Sequence, residues 1–143
     1  MQQNKDNFQK QTQDLPIPFK EIERLKKESA RRSGCWEIDW GPEPMSRGND
    51  NIEDQLLLTL VVHQESYYVL EMFVSPLEAA NRGISAFVNA TKKPLTLPET
   101  ILVRDKILMN ELLPLATALG CEIKMSRLKA IPQIRRDINR FMF

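Results

Sequence analysis

The chain has 143 residues, 42% of them hydrophobic and 27% charged, which are the proportions of an ordinary globular domain and exclude a wholly disordered chain. That length is enough for one well-buried core and too short for two complete domains. Lys and Arg number 20 against 19 Asp and Glu, so a formal charge of +1 gives no bulk attraction to nucleic acid, and any polyanion contact has to come from a local patch.

Cys35 and Cys121 lie far apart, form no CxxC, and are accompanied by a single histidine, His63. Those are too few soft ligands for a structural zinc, so the expectation is no metal and no cofactor, in a reduced, cytoplasmic protein. The longest apolar run, Leu56 to Val62, is far too short to cross a bilayer, and the N-terminal stretch "MQQNKDNFQKQTQDLP" lacks the apolar region of a secretory leader.

In chain order, residues 1–14 hold almost no apolar side chain and are expected to form a disordered tail. Residues 15–34 read as an N-terminal helix, with Pro16 and Pro18 before it, Phe19, Ile22 and Leu25 or Lys26 at helical spacing, and Gly34 after it. Residues 35–143 are expected to form a single α/β domain. In "CWEIDWGPEPMS" a short extended element carries Trp36 and Trp40, which either close a core edge or form a stacking platform for a partner. "QLLLTLVVHQ" and "YYVLEMFVS" then form an antiparallel hairpin, the first strand buried on both faces.

Ser75, Pro76 and Glu78 have the N-cap, N1 and N3 spacing of a capping box, so a helix is expected from Pro76 through "LEAANRGISAFVNATKK". A strand Thr100–Val103 follows, then a helix Lys106–Leu119 with Asp105 as N-cap, Gly120 as stop and a kink at Pro114, then a strand Cys121–Met125. The strand-helix-strand unit is expected to be a right-handed parallel crossover. The closing segment "LKAIPQIRRDINRFMF" predicts a helix with Ile131, Ile134, Ile138 and Phe141 toward the core and Arg135, Arg136 and Arg140 forming a basic face.

"ILVRDKILMNELLPLATALGCEIKMSRLKAIPQI", with its hydrophobic strand ending in Val-Arg-Asp and its Leu-rich closing segment, resembles the C-terminal signature of an uncharacterised bacterial domain family, well represented in photosynthetic bacteria. The Trp-bearing loop and the hairpin fit the same outline over roughly residues 35–140. The resemblance implies a fold and brings no activity. The element order, a hairpin followed by βαβα in a mixed sheet with helices packed on it, is also similar to a ribonuclease H-like domain. That likeness implies carboxylates gathering two magnesium ions, and it assigns Asp105 to the end of the fourth strand and Glu78 to the first helix. At the first-strand position it finds His63 and Gln64 before Glu65, poor donors for hard magnesium.

Capping accounts for Asp105 and Glu78, and an end-of-strand hydrogen bond accounts for His63. No glycine spacing makes a phosphate loop. The reading is therefore a non-catalytic protein-interaction or regulatory module. It would bind through Trp36, Trp40, Arg135, Arg136 and Arg140, with protein as the favoured partner, nucleic acid through a basic patch as a lesser one, and no membrane. The alternative is a divergent metal-dependent nuclease-like enzyme that uses Glu78 and Asp105.

Overall fold

The computed structural model describes residues 17–29, 34–43, 55–92 and 95–142. The tail expected at residues 1–14 lies outside them. The elements are α1 (Phe19–Glu28), β1 (Cys35–Pro42), β2 (Leu56–His63), β3 (Tyr68–Pro76), α2 (Arg82–Thr91), β4 (Thr100–Val103), α3 (Lys106–Leu119), β5 (Glu122–Met125) and α4 (Ala130–Met142). The five strands form one sheet in the order β3-β2-β1-β4-β5. β1 pairs antiparallel with β2, and β2 with β3, whereas β1, β4 and β5 run parallel.

β1 is the centre of this sheet, and its alternation sets the two layers. Trp36 and Ile38 point into a large core with Phe87 of α2, Leu108, Leu112 and Leu115 of α3, and Ile22 and Leu25 of α1. The intervening residues, Glu37 and Asp39, are turned to the opposite face by the two-residue period of a strand. On that side a second core of Leu58, Leu60, Val62 and Leu102 packs beneath Leu128, Ala130 and Ile131 at the start of α4. Three helices thus cover one face of the sheet and α4 the other.

Glu37 is completely buried. Its carboxylate accepts the backbone N–H groups of Lys129 (2.9 Å), Ala130 (3.0 and 3.1 Å) and Ile131 (2.9 Å), and the side-chain amide of Gln64 at 2.8 Å. These are orphan donors of the first turn of α4, and the positive end of that helix faces the anion. One strand side chain therefore does the capping that α4 does not supply for itself, and it fixes the helix on the sheet.

The expected helix at Pro76 is not formed there. Ser75 and Pro76 remain in β3, opposite Leu57 and Leu56. α2 begins six residues after Pro76, at Arg82, behind a left-handed Asn81 (φ 60°) that makes no side-chain cap. Strand pairing takes the capping-box residues, and Glu78 lies exposed in the connection. The N–H of Ile84 is instead satisfied by Glu111 of α3, at 3.1 Å. The α3 reading holds at both ends: the Asp105 carboxylate accepts from the Ile107 N–H at 2.7 Å, and Gly120, left-handed at φ 75°, closes the last turn. α3 runs through Pro114, which lies on its exposed side. In α4 the inward stripe fades along the helix: Ile131 is buried, Ile134 and Ile138 are half-buried, and Phe141 is 88% exposed rather than in the core.

Both cysteines are free thiols. Burial pushes the Cys35 thiol up, and the nearby carboxylates of Glu65 and Glu99 add to the effect. Less thiolate is present at a given pH, so at pH 8 alkylation of Cys35 by iodoacetamide, followed by mass spectrometry, is expected to be slower than that of a free cysteine peptide. Glu37 offers a sharper test. Glu37→Ala removes the acceptor for three helix N–H groups and is expected to cost roughly 3–5 kcal/mol, whereas Glu37→Gln, which keeps one carbonyl oxygen, costs about 1–3 kcal/mol. Urea unfolding reads both, and equal, negligible losses would remove the capping role.

Candidate functional site

The carboxyl ends of the parallel strands β1, β4 and β5 lie side by side, the place where open α/β sheets gather functional groups. Asp39 comes from β1, Arg104 follows β4 directly, and Arg127 follows β5 by two residues. α4, held by Glu37, brings Arg135 over the same end. Asp39 is 1% exposed, and its Oδ2 accepts from Arg104 Nε at 2.6 Å and from Arg135 Nη1 at 2.9 Å. A buried carboxylate is costly unless paired, and two guanidinium groups provide that pairing. Asp39 Oδ1 is buried without a hydrogen-bond partner among the described residues.

Gly41 makes this geometry possible. It sits two residues beyond Asp39, on the same face of β1, and a Cβ there would come within 3.0 Å of Arg135 Nη2 and 3.1 Å of its Cζ. The guanidinium lies against bare backbone, so any larger residue has to displace it.

Across the sheet, Trp40 organises the other face of the same strand end. Its indole N–H donates to Asp105 Oδ2 at 2.9 Å, and the Arg82 guanidinium stands 4.4 Å from its ring centroid. Arg82 in turn donates to the carbonyls of Leu77 and Ala79, at 3.0 and 2.8 Å. Asp105 therefore has two structural partners, the α3 N-terminus and Trp40.

The residues singled out from sequence are dispersed. Trp36 is 3% exposed and packs against Phe87 with ring centroids 5.7 Å apart, so it is a core residue and offers no surface to a partner. Trp40 is half-buried at the rim, and Arg135 is in the Asp39 cluster. Arg136 is exposed and donates to Gln133 at 2.7 Å, and Arg140 is exposed near the end of α4. His63 bonds Ser66 Oγ through Nδ1 at 2.7 Å, and its Nε2 lies 3.2 Å from Glu65. Glu65 also accepts from the Cys35 N–H. These residues tie off the β2–β3 turn at the far end of the sheet from Asp39, since His63 pairs with Trp36 and not with Trp40.

The acid expected to be absent from the first strand is present. The first strand is β1, not the hairpin strand β2, and it carries two acids, Glu37 and Asp39. The alternation Trp36-Glu37-Ile38-Asp39-Trp40 carried the signal, because acids two apart on a strand share a face and require partners there. Arg104 and Arg127 were also missed as functional candidates. Nothing local marks them, since they meet Asp39 only through strand order.

The Asp105 cap and indole bond predict a graded response. Asp105→Asn keeps one acceptor oxygen, enough for the cap or the indole bond but not for both, and is expected to cost less than Asp105→Ala, which loses the cap at about 0.5–2 kcal/mol and strands the Trp40 N–H as well. Thermal unfolding beside Trp40→Phe measures the two contributions separately. A loss in Asp105→Ala no larger than that in Asp105→Asn would refute them.

No curated protein matches the chain. Among solved structures it is similar to the HTLV-2 integrase catalytic core domain, in a dimeric form in complex with magnesium. The TM-score is 0.55 at 17% identity, over 80% of this chain and 74% of that one. At that identity the likeness shows the ribonuclease H-like fold alone. A family model named as a domain of unknown function, DUF6930, matches residues 21–139 without bearing on any particular group of bacteria. From α1 to α4, then, the chain is a member of the DUF6930 family built on a ribonuclease H-like sheet.

Proposed function

We propose that this domain is a non-catalytic binding or regulatory module. The observation that carries the reading is the state of Asp39, held between Arg104 and Arg135 at 2.6 and 2.9 Å. A ribonuclease H-like nuclease would need this carboxylate to bridge divalent cations. Here two fixed positive charges occupy its Oδ2, and a cation approaching Oδ1 would meet their repulsion at close range. Glu37 is committed to the α4 N-terminus and Asp105 to the α3 N-terminus and Trp40. Glu78, the remaining acid of the enzyme alternative, is exposed in the connection after β3. Among the described residues no group of three or more His, Cys, Asp or Glu side chains could hold a metal ion. The donor set does not suit magnesium.

Binding is favoured by what the domain exposes. Met72 and Val74 on the edge strand β3 and Phe141 on α4 are 50%, 49% and 88% exposed, the kind of apolar side chains that protein contacts use. A protein partner fits these residues and the balanced net charge better than a polyanion does. No helix among the described residues is long and apolar enough to cross a membrane.

The test is incubation with labelled single-stranded DNA, duplex DNA and RNA–DNA hybrid in manganese, beside an Asp39→Asn/Asp105→Asn double variant shown by circular dichroism to be folded. Wild type is expected to leave all three substrates intact. Cleavage that disappears in the double variant would sink the non-catalytic reading and install the nuclease.

A further inference from the structure

Glu37, Asp39 and Asp105 all have structural work, but the arginines around Asp39 exceed what its charge requires. An open cleft of about 490 Å³ is lined by Asp39, Arg104, Arg127, Leu128, Pro132 and Arg135. Three arginines and one carboxylate line it, an excess of two positive charges among the lining residues. Arg104 spends Nε on Asp39, which leaves its two Nη groups, whereas Arg135 spends Nη1 and has Nη2 buried beside Gly41 without a hydrogen-bond partner among the described residues. The Arg127 side chain has no ion pair or hydrogen bond among the described residues, and Arg104 is 58% exposed. A second cavity of about 300 Å³ shares Arg104 and Arg135 and is lined also by Trp40, Pro42, Leu58 and Ile138.

From this juxtaposition we propose that Arg104, Arg127 and Arg135 form a binding site for a phosphate monoester. The ligand's dianion would match the excess charge, and its organic group would lie in the cavity beside Trp40. Guanidinium groups present forked donors that match phosphate oxygens, and they bind best when held in place before the ligand arrives. Asp39 supplies that hold: its Oδ2 fixes Arg104 and Arg135 side by side, and Gly41 lets Arg135 lie flat enough to reach it. The lone carboxylate positions the cations without cancelling them. The site deepens the binding-module reading, which it takes as its premise, by naming a ligand class for the surface where a nuclease would do chemistry.

Isothermal titration of the full chain with inorganic phosphate, AMP and adenosine tests the site, with thermal stability followed in parallel. Phosphate and AMP are expected to bind at one site and raise the melting temperature, AMP more tightly than phosphate, and adenosine not to bind. Arg127→Gln, at an exposed residue outside the Asp39 bridge, should keep the wild-type melting temperature without ligand and weaken AMP binding about tenfold or more. Arg135→Lys, which keeps the charge but loses the fork, should weaken it as well. Binding of adenosine as tight as that of AMP, no binding of phosphate or AMP by the wild type, or unchanged affinity in Arg127→Gln would overturn the site. So would tighter binding of an oligonucleotide without terminal phosphates than of AMP, because the arginines would then be a polyelectrolyte surface. Release of adenosine from bound AMP would refute the non-catalytic reading while leaving the site in place.

Discussion

One buried carboxylate determines how the two halves of this fold meet. Glu37 accepts three N–H groups from the start of α4 while it sits on the central strand, so the helix is attached to the sheet by charge-assisted hydrogen bonds rather than by packing alone. The apolar contact beneath α4 fades along the helix, with Ile131 buried and Phe141 at the far end 88% exposed. Without the Glu37 cap, the helix would have little to set its rotation. With it, Arg135 falls one turn further along, over Gly41 and within reach of Asp39.

The same strand thus controls both faces of its carboxyl end. Glu37 and Asp39 point toward α4, and Trp36, Ile38 and Trp40 toward the helical layer. On one side the result is a carboxylate clasped by two arginines. On the other, an indole is clasped between Asp105 and Arg82. Each cluster joins segments more than sixty residues apart, Trp40 to Asp105 and Asp39 to Arg104. They fix the relation of β1 to the β4–α3 turn without large apolar area, which is scarce at a strand end open to solvent.

This arrangement also separates fold from chemistry. The fold is that of a ribonuclease H-like domain, yet the environment of Asp39 on its first strand is cationic. A carboxylate's use is decided by the charges around it. Next to fixed guanidinium groups Asp39 serves as an anchor for arginines, and the surface that results attracts anions where a metal-carboxylate site would attract cations.

Local chemistry in the sequence determined the elements whose ends are signalled within a few residues. α3 ran from Lys106 to Leu119 as read, because Asp105 could accept from Ile107 and Gly120 could turn left-handed without a Cβ penalty. The strand Leu56–His63 was equally legible from its apolar run Leu56 to Val62. An equally strong local signal failed at Ser75-Pro76-Glu78: pairing with Leu56 and Leu57 kept those residues in β3, and the α2 donor found Glu111 on another helix. Tertiary structure alone decided the site. Arg104 stands 65 residues from Asp39 and Arg135 stands 96 away, so no spacing in the chain records their meeting. It arises because parallel pairing sets β4 beside β1 and because Glu37, buried in the middle of a strand, dictates where α4 begins.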